Sequence, residues 1–475
     1  MKLMKKTCFF SLLAFLGTAL AEQVTVLGIN DMHANIDSVP QLASCLKQER
    51  LNDPGLLLLA AGDNRTGNPY VDNGNRPGVP MITLMNHLEF DLSTFGNHEF
   101  DSGPAALRDY INAADFDFVC ANIFTTDTQG INVKPYKIFE RNGVRIGVLG
   151  LVQIGETGIP DAHPDKCAGL QFASPFDTAA CYKHLRAHCD VLILLTHLGF
   201  EDDIKLAQIF PEADAIVGGH SHTRVEKGHV ENGVLITQAE NKLKYLTKLT
   251  FDVQDGKVVS KKSELLPLAD FPADEAAGDL VEKAKSQPFF KRQLTTVKRK
   301  ITRRESLGCM MADALCMRAI TDIAIVNIGG VRLDDFPAGP LTVADVYRMD
   351  PFGNAIIRNT MSGKELIAML ESLTGSDHHG APCVSGMTYK AIKPAAELKP
   401  MRITEARLAD GTIIDPDARY TVAYNSYIAS TTSAPPENPG VAIDSDGAEC
   451  LIRFLEKQKE VDYEGVSRIE VQIQD

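Results

Sequence analysis

Short runs of hydrophobic residues alternate with helix-type patterns along the first half of the chain. The runs at 24–29, 56–60, 92–95, 191–195 and 215–217 have the length of buried strands. The first run is followed by a helix pattern with Ser38 at its N-cap and Pro40 in its first turn, and another helix pattern begins at Pro104. This alternation predicts a layered α/β domain.

Each of these five strands ends in residues that can bind a metal ion. Together the strand ends supply Asp31, His33, Asp63, Asn97, His197, His220 and His222. Taken singly, either aspartate could cap a helix or a turn, and His197 could be a hydrogen-bonded core histidine. Possible metal ligands at the ends of all five strands instead favour one shared site, because open α/β sheets bind ligands at the carboxyl ends of their strands.

The ligand types indicate which metal ions could be bound. Imidazole, carboxylate and amide ligands without a thiolate suit zinc, manganese or iron(II). Seven ligands are too many for one ion but fit two divalent ions if one carboxylate bridges them. Asp63 is the best candidate for this bridge, since its strand should lie between those that bear Asp31 and Asn97. We therefore expect two divalent metal ions, which would polarise a phosphate group and generate hydroxide from a bound water.

His98 follows Asn97 directly and does not need to be a metal ligand. Asp101, three residues further on, could hold the imidazole in one tautomer and favour its charged form. His98 could then stabilise the charge on a phosphorane and protonate the leaving oxygen. We predict that His98 and Asp101 are the catalytic pair; the alternative is a turn that contains a hydrogen-bonded histidine.

The N-terminus has the pattern of a secretory signal peptide. Three lysines precede an apolar run from Cys8 to Leu20, and Ala19-Leu20-Ala21 is a small-x-small cleavage site. We expect residues 1–21 to be removed and the mature protein to be secreted or periplasmic. No later segment approaches the ~20 apolar residues of a membrane-spanning helix.

Composition limits the kinds of partner. The chain has 475 residues, too many for one core, with 44% hydrophobic and 23% charged residues and a formal net charge of −14. A protein this acidic is a poor partner for a nucleic acid polymer, so a small anionic ligand would need a local positive site such as a metal centre. Nine cysteines follow the signal peptide, and Cys167, Cys181 and Cys189 could supply a disulfide.

A linker divides the mature chain. Prolines at 267, 272 and 288 bracket a segment rich in Ala, Glu, Asp and Lys, which predicts a solvated helix. We place a first domain at 22–265, a linker helix at 266–296 and a second domain at 297–475. Seven basic residues lie between 291 and 304. They could form a solvated face on an acidic protein, or one of their arginines could meet an anionic ligand.

The second domain again alternates helix and strand patterns. We predict a helix from Ser306 to Ala319, strands at 323–326 and 419–424, and a helix that opens with a capping box at Ser362. A glycine-rich turn at 327–332 carries an arginine, and the turn at 350–354 can expose an aromatic face. These patterns predict a second α/β unit.

The motifs of the first domain resemble those of the calcineurin-like metallophosphoesterases. The matching segments are Asn30-Asp31-x-His33, Gly62-Asp63-Asn64, Gly96-Asn97-His98-Glu99-Phe100-Asp101, Thr196-His197 and Gly219-His220-Ser221-His222. With its second domain the chain is similar to the two-domain, secreted 5'-nucleotidase family, which includes UDP-sugar hydrolases and 2',3'-cyclic nucleotide phosphodiesterases. The resemblance implies an α/β (α+β) fold, in which a four-layer metallophosphoesterase β-sandwich flanked by helices precedes a second α/β substrate-binding domain.

The resemblance also implies a role for each site residue. One metal ion would be held by Asp31, His33, Asp63 and His222. The other would be held by Asp63, Asn97, His197 and His220. His98 and Asp101 would be the catalytic pair.

In the second domain the resemblance implies a nucleotide site. The base would be clamped between Phe352 and Tyr427. Base and phosphate would be contacted by Asn327, Arg332 and either Arg303 or Arg304, with Asn354 also in the substrate site. The family usually follows its second aromatic residue with a Gly-Gly-Asp-Gly turn whose aspartate holds the ribose, but residues 430–436 here contain no acid, and Ile328 stands where glycine is usual.

The leading hypothesis is an exported, dinuclear metal-dependent phosphohydrolase that releases phosphate from nucleoside 5'-monophosphates. Alternatives on the same site are a cyclic-nucleotide or UDP-sugar phosphodiesterase and a broad-specificity phosphatase for small phosphate esters. A rival of another class is a surface protein that binds nucleotides without turnover. That rival predicts the loss of one or more metal ligands, and all seven are present.

Overall fold

The computed structural model describes residues 21–125, 131, 133–155, 157–374, 380–394 and 400–473. The predicted signal peptide, apart from Ala21, lies outside these residues. Within the described part of the chain, no helix combines the length and the hydrophobicity that crossing a bilayer requires. The nine described cysteines are free thiols, so the disulfide considered for Cys167, Cys181 and Cys189 is not formed.

Two six-stranded sheets form the core of the N-terminal half. The strands of this half are β1 (Glu22–Ile29), β2 (Leu57–Ala60), β3 (Leu92–Ser93), β4 (Asp117–Phe118), β5 (Ile123–Thr125), β6 (Tyr136–Arg141), β7 (Val144–Val152), β8 (Leu170–Phe172), β9 (Val191–His197), β10 (Ala215–Val217), β11 (His229–Glu231), β12 (Val234–Thr237), β13 (Tyr245–Gln254) and β14 (Lys257–Pro267). Its helices are α1 (Val39–Asn52), α2 (Pro69–Asp72), α3 (Val79–His87), α4 (Gly103–Asn112), α5 (Pro175–Cys181) and α6 (Phe200–Ile209). The strand order is β14-β13-β1-β2-β3-β4 in the first sheet and β11-β12-β10-β9-β7-β6 in the second.

The two sheets pack face to face, and helices cover both outer faces. Alternate residues of a strand point to opposite faces, so Val24 and Val26 of β1 pack between the sheets while Leu27 and Ile29 pack beneath α1 and α3. Both faces of these strands are therefore buried, which is why they are continuous hydrophobic runs in the sequence. The four-layer arrangement of helix, sheet, sheet and helix that was predicted is confirmed.

The strand order brings the predicted ligand loops to one edge. Strand β2 lies between β1 and β3 and pairs in parallel with both, as predicted. In the second sheet, β9 lies between β7 and β10 and is parallel to both. The loops that follow these strands therefore leave from the carboxyl ends of parallel strands.

The C-terminal half is a second α/β unit. Its strands are β15 (Gln293–Val297), β16 (Ile323–Val326), β17 (Gly339–Thr342), β18 (Ala355–Ser362), β19 (Cys383–Ser385), β20 (Met387–Lys393), β21 (Arg402–Leu408), β22 (Arg419–Asn425), β23 (Val441–Asp446), β24 (Glu460–Val461) and β25 (Ile469–Ile473). Its helices, after the linker helix α7 (Glu275–Ala284), are α8 (Arg304–Ala319), α9 (Val343–Met349), α10 (Gly363–Ser372), α11 (Ser426–Thr431) and α12 (Gly447–Leu455). A five-stranded sheet in the order β19-β16-β22-β18-β23 is its centre. The capping box predicted at Ser362 is present in full at the start of α10.

The linker helix is less solvated than its composition predicts. Ala277 and Val281 of α7 are buried in the same core as α1. Beyond it, the ring of Tyr70 from α2 packs edge-to-face on Phe290 at 5.2 Å between centroids, so the two halves share an aromatic contact. The boundaries at residues 265 and 296 stay a prediction.

Candidate functional site

The predicted ligands stand on loops with an unusual backbone. Left-handed φ values occur at Asp31 (49°), His33 (45°), Asp63 (51°), His220 (78°) and His222 (54°). Such conformations cost on the order of 1–3 kcal/mol each and persist only where the surrounding structure holds them. Five of the seven predicted ligands share this strain, which is typical of a functional site.

Glu99 joins two of these loops. Its buried carboxylate accepts hydrogen bonds from the backbone amides of Asp63 (2.9 Å), Asn64 (2.9 Å) and Gly96 (2.6 Å). The loops approach so closely that a Cβ atom at Gly96 would lie 2.1 Å from Oδ1 of Asp63. Gly96 therefore has no room for a side chain.

Five predicted ligands form one cluster, in which the two aspartates, His33 and His197 are buried and His222 is partly exposed. Oδ1 of Asp31 lies 3.3 Å from Nε2 of His222 and 3.8 Å from Nε2 of His33. Oδ2 of Asp63 lies 3.2 Å from Nε2 of His197 and 3.9 Å from Nε2 of His33. Asp63 therefore contacts histidines that were predicted to serve different metal ions, which is the position that a bridging carboxylate requires.

Backbone carbonyls fix the orientation of two of these histidines. Nδ1 of His33 lies 3.1 Å from the carbonyl oxygen of Thr66, and Nδ1 of His197 lies 2.7 Å from that of Ala61. Each carbonyl accepts the Nδ1 proton, so Nε2 is left with a lone pair that faces the cluster. This is the usual arrangement of a metal-binding histidine.

The cluster has the properties of a cation site. Oδ1 of Asp31 and Nε2 of His197 are buried and make no well-directed hydrogen bond among the described residues, although His222 and Asp63 lie 3.3 Å and 3.2 Å from them. Burial opposes a charge on His197, but the neighbouring Asp63 and Asp31 carboxylates raise its pKa to about 10. The buried carboxylates thus require positive charge beside them, so the residues present fit divalent metal ions.

Asn97 and His220 lie at the edge of this cluster. Nδ1 of His220 is 3.1 Å from Oδ1 of Asn97, and the backbone amide of His220 donates to Oδ2 of Asp31 at 3.0 Å. Among the described residues, the tight groups of possible ligand atoms consist of Asp31 with His33 and His222, Asp31 with Asp63 and His197, and His33 with Asp63 and His98. His220 belongs to none of these three groups.

His98 and Asp101 form the predicted contact. Nδ1 of His98 lies 2.8 Å from Oδ2 of Asp101, which leaves Nε2 on the side of Asp63. Burial lowers the pKa of His98, but Asp63 and Asp101 outweigh it, so the pKa is raised. The Phe352 ring of the C-terminal half stacks on His98 with 5.7 Å between centroids.

A cleft of about 800 Å³ separates the two halves at this point. From the N-terminal half it is lined by the predicted residues Asp63, Asn97, His98, Asp101, His220 and His222, and from the C-terminal half by Arg304, Asn327, Arg332, Phe352, Asn354 and Tyr427. Asp31, His33 and His197 are buried beneath these residues. Of all the predicted site residues, Arg303 is the one that the structure leaves outside both the cleft and the cluster.

The structure distinguishes Arg303 from Arg304. Arg303 is the N-cap residue of α8 and pairs with Glu305, whereas Arg304 lines the cleft and pairs with Asp334. Most of the basic run is on the surface in ion pairs; the pairs include Arg292–Glu456, Arg299–Asp462 and Lys300–Asp335. The solvated-face interpretation therefore describes most of the run, and Arg304 is its member at the cleft.

The segment at 430–436, which follows Tyr427, does not line the cleft. Its residues are all described. Thr432 instead hydrogen-bonds Ser372 of α10 at 2.7 Å. The side-chain amides of Asn425 and Asn327 line the cleft together with Phe352 and Tyr427. The Asn425 amide donates to Oδ1 of Asn327 at 3.2 Å.

Glu99, Asp161 and Lys242 are among the residues of the site that the sequence analysis did not predict. Glu99 stood inside the Asn-His-Glu-Phe-Asp motif without a role. Asp161 and Lys242 both line the cleft, and they follow β7 and β12, two further parallel strands of the second sheet. The signal for Asp161 is its position after β7, whose carboxyl end lies at the same edge as that of β9.

Comparison with known proteins finds relatives for both halves of the chain. The family model for the calcineurin-like phosphoesterase matches residues 24–224, and that for the 5'-nucleotidase C-terminal domain matches residues 283–434. The chain is 28% identical to the trifunctional nucleotide phosphoesterase protein YfkN of Bacillus subtilis, over 86% of this chain and 32% of that protein. It is also 28% identical to a 5'-nucleotidase of Vibrio cholerae, over 66% of this chain and 67% of the other.

A solved structure extends this similarity over both halves. The crystal structure of a 5'-nucleotidase precursor from Thermus thermophilus matches with a TM-score of 0.83 and 26% identity, over 94% of this chain and 99% of that one. The chain spans about a third of the length of the first curated relatives that it matches. The chain therefore combines a domain of the calcineurin-like phosphoesterase family with a 5'-nucleotidase C-terminal domain, which is the two-domain arrangement of the 5'-nucleotidases that it resembles.

Proposed function

We propose that this chain is a dinuclear metal-dependent phosphohydrolase that releases phosphate from nucleoside 5'-monophosphates. One observation carries the proposal: a single cleft of about 800 Å³ joins the buried Asp and His cluster to Phe352 and Tyr427. Small-molecule sites usually measure roughly 300–1,000 Å³, so the volume suffices for a nucleotide, whose phosphate would lie at the cluster and whose base would lie between the rings.

The metal ions would be held as the motifs predict. Asp31, His33, Asp63 and His222 would bind one ion. Asp63, Asn97, His197 and His220 would bind the other. When bound, two divalent ions supply Lewis-acid activation of the phosphoryl group and of the attacking water. Oδ1 of Asp31 and Nε2 of His197, which are buried and make no well-directed hydrogen bond among the described residues, support this assignment.

His98 would donate the proton that the leaving oxygen needs. Asp101 accepts the hydrogen bond from Nδ1, which fixes the ring and directs Nε2 toward the cleft. Arg332 would bind the phosphoryl oxygens, because Nη2 of its guanidinium lies 3.3 Å from Nε2 of His98. His98 and Arg332 would therefore both contact the reacting phosphate ester, one from each half of the chain.

Base recognition would rest on stacking. Phe352 and Tyr427 line the cleft, and Asn327 and Asn354 offer amides beside them. Aromatic stacking tolerates any base, since every base has a π-face. We therefore propose weak discrimination between bases, with Asn327 and Asn354 as hydrogen-bonding partners of the nucleoside.

A second candidate is a less selective enzyme on the same site, either a phosphodiesterase for cyclic nucleotides or UDP-sugars or a broad-specificity phosphatase. The observation that favours it is the position of residues 430–436, none of which lines the cleft. Without a carboxylate from this segment, the ribose hydroxyls lose a charged acceptor, which is worth about 1.5–3 kcal/mol where it is present.

An assay of released phosphate separates these candidates. AMP, cyclic AMP, UDP-glucose and glycerophosphate are compared with added manganese or zinc and with EDTA. We expect AMP to be the fastest substrate and EDTA to abolish release. Equal rates on AMP and glycerophosphate would rule out the nucleotidase, and nucleotide binding without release would indicate the non-catalytic binding protein.

We also propose that the protein is exported. The support is the charged, apolar and small-residue pattern of residues 1–21. N-terminal sequencing of the protein recovered outside the cytoplasm tests this. A mature chain that begins at Glu22 is the expected result.

A further inference from the structure

The loop after β7 reaches the candidate metal site from a strand that the ligand motifs do not include. Among the described residues of this loop, the backbone amide of Gly155 donates to the carbonyl of Ile159 at 2.8 Å. Asp161, further along the loop, lines the cleft. Because β7 is parallel to β9, the strand that ends in His197, this loop leaves the sheet at the same edge as the ligand loops.

Asp161 contacts two predicted ligands of the same metal ion. The side-chain amide of Asn97 donates to the backbone carbonyl of Asp161 at 3.2 Å. The Asp161 carboxylate lies 3.7 Å from Nε2 of His220. The remaining polar atoms of the two ligands, Oδ1 of Asn97 and Nδ1 of His220, face each other at 3.1 Å. Asp161 thus contacts the side-chain nitrogen of Asn97 and lies near Nε2 of His220. Oδ1 of Asn97 and Nδ1 of His220, the other polar atoms of these side chains, lie close to each other.

These two contacts select the ligand form of each side chain. An asparagine can present either its oxygen or its nitrogen, and the hydrogen bond to the Asp161 carbonyl keeps the nitrogen outward. A histidine can carry its proton on either nitrogen. Nδ1 of His220 is placed to donate to Oδ1 of Asn97, and when a metal ion displaces that proton, the carboxylate 3.7 Å from Nε2 favours the tautomer whose Nδ1 has the lone pair. A carboxylate behind a histidine also fixes the ring and raises its basicity as a ligand.

We propose that Asp161 is a positioning residue that orients Asn97 and His220 toward one of the two metal ions. This inference rests on the metal centre of the proposed function and adds a residue to it. It also explains how His220 could bind a metal ion, although this histidine lies outside the tight groups around Asp31 and Asp63.

The neighbouring glycine supports this role. A Cβ atom at Gly155 would lie 2.7 Å from Oδ1 of Asp161, so a side chain at this position would push the carboxylate away from His220. Asp165 offers a matched comparison, because it belongs to the same segment and lines the same cleft. Its carboxylate faces His163 at 3.8 Å, which is not a predicted ligand.

The test is a titration of manganese into the metal-stripped full-length protein, followed by electron paramagnetic resonance of free Mn²⁺. Wild type should bind two ions. Asp161→Asn keeps the backbone carbonyl and the side-chain size but removes the charge beside His220. It should weaken one of the two ions by about 10- to 100-fold and leave the other unchanged. Asp165→Asn should bind both ions as wild type does.

Three outcomes separate the two ideas. Two ions bound with unchanged affinity in Asp161→Asn would overturn the positioning role and leave the metal centre intact. The same conclusion follows if Asp165→Asn loses as much affinity as Asp161→Asn. A wild-type protein that binds no manganese would overturn the metal centre itself. If Asp161→Asn does not fold, the same titration is done with Gly155→Ala. We expect this variant to bind one ion more weakly. Binding of both ions as in wild type would contradict the positioning role of Asp161.

Discussion

Nη2 of Arg332 lies 3.3 Å from Nε2 of His98, so a guanidinium of the C-terminal half reaches the predicted acid of the N-terminal half. A phosphoryl group bound at the cluster would contact the positive charge of Arg332, and it would do so in every substrate regardless of the leaving group. Arg332→Met should therefore lower kcat/KM by about 100- to 1,000-fold, the usual loss for one donor to a developing oxyanion. Steady-state kinetics on AMP and on glycerophosphate measure it.

The matched control is Arg303→Met, since Arg303 lies outside the cleft and pairs with Glu305. It should change kcat/KM by less than about twofold, in line with the small contribution of exposed ion pairs. A loss in Arg332→Met that is confined to nucleotides would show that this arginine recognises the nucleoside instead of the phosphoryl group.

Removal of His98 should separate catalysis from metal binding. His98→Ala leaves the Asp31 and Asp63 carboxylates in place but removes the proton donor, so kcat should fall about 10²- to 10⁴-fold at normal metal content. Asp63→Ala should lose both activity and metal, because Asp63 contacts His33 and His197. Elemental analysis with kinetics checks both, and equal metal loss in the two variants would refute this division of roles.

Tyr427 should matter for the nucleoside alone. Its ring lines the cleft, where we propose that it stacks on the base and does not contact the phosphoryl group. Base stacking contributes about 1–3 kcal/mol. Tyr427→Ala should therefore raise KM for AMP by about 5- to 100-fold and leave KM for glycerophosphate unchanged. Tyr427→Phe keeps the ring and should behave as wild type. An equal rise for both substrates in Tyr427→Ala would exclude the clamp.

Asp350, just before the Phe352 turn, should make stability depend on pH. Burial, with Asp446 nearby, raises the pKa of Asp350 to about 7, well above the value of about 3.9 in an unfolded chain. The folded state thus holds the proton more tightly, and the free energy of unfolding should fall as pH rises from about 4 to about 7. Asp350→Asn should remove this loss.

Urea denaturation at two pH values measures the effect. At pH 8 Asp350→Asn should be more stable than wild type by on the order of 2–4 kcal/mol, whereas at pH 4 the two proteins should be nearly equal. A stability difference that is the same at both pH values would show that folding does not raise the pKa of Asp350.

Local patterns predicted the parts of the site that depend on local structure. Ser362 opens its helix with the expected capping box, and the strand that bears Asp63 lies between its two expected neighbours. Both follow from short-range signals, namely a polar pair at a fixed spacing and continuous hydrophobic runs that must be buried on both faces.

The remaining features depend on contacts between distant segments. The left-handed backbone at Asp31 and His222 is held by tertiary structure, and non-glycine residues give no sequence signal for it. The choice between Arg303 and Arg304 depended on the residue at which α8 begins, and a one-residue shift turns a side chain by about 100°. Asp161 was missed because its loop carries no ligand motif.

The central claim is that the strand-end loops enclose two divalent ions bridged by Asp63. Anomalous X-ray diffraction from crystals grown with manganese locates each ion directly. We predict two anomalous peaks about 3.5–4 Å apart, both within bonding distance of the Asp63 carboxylate. A single peak, or two peaks of which one does not contact Asp63, would contradict the account.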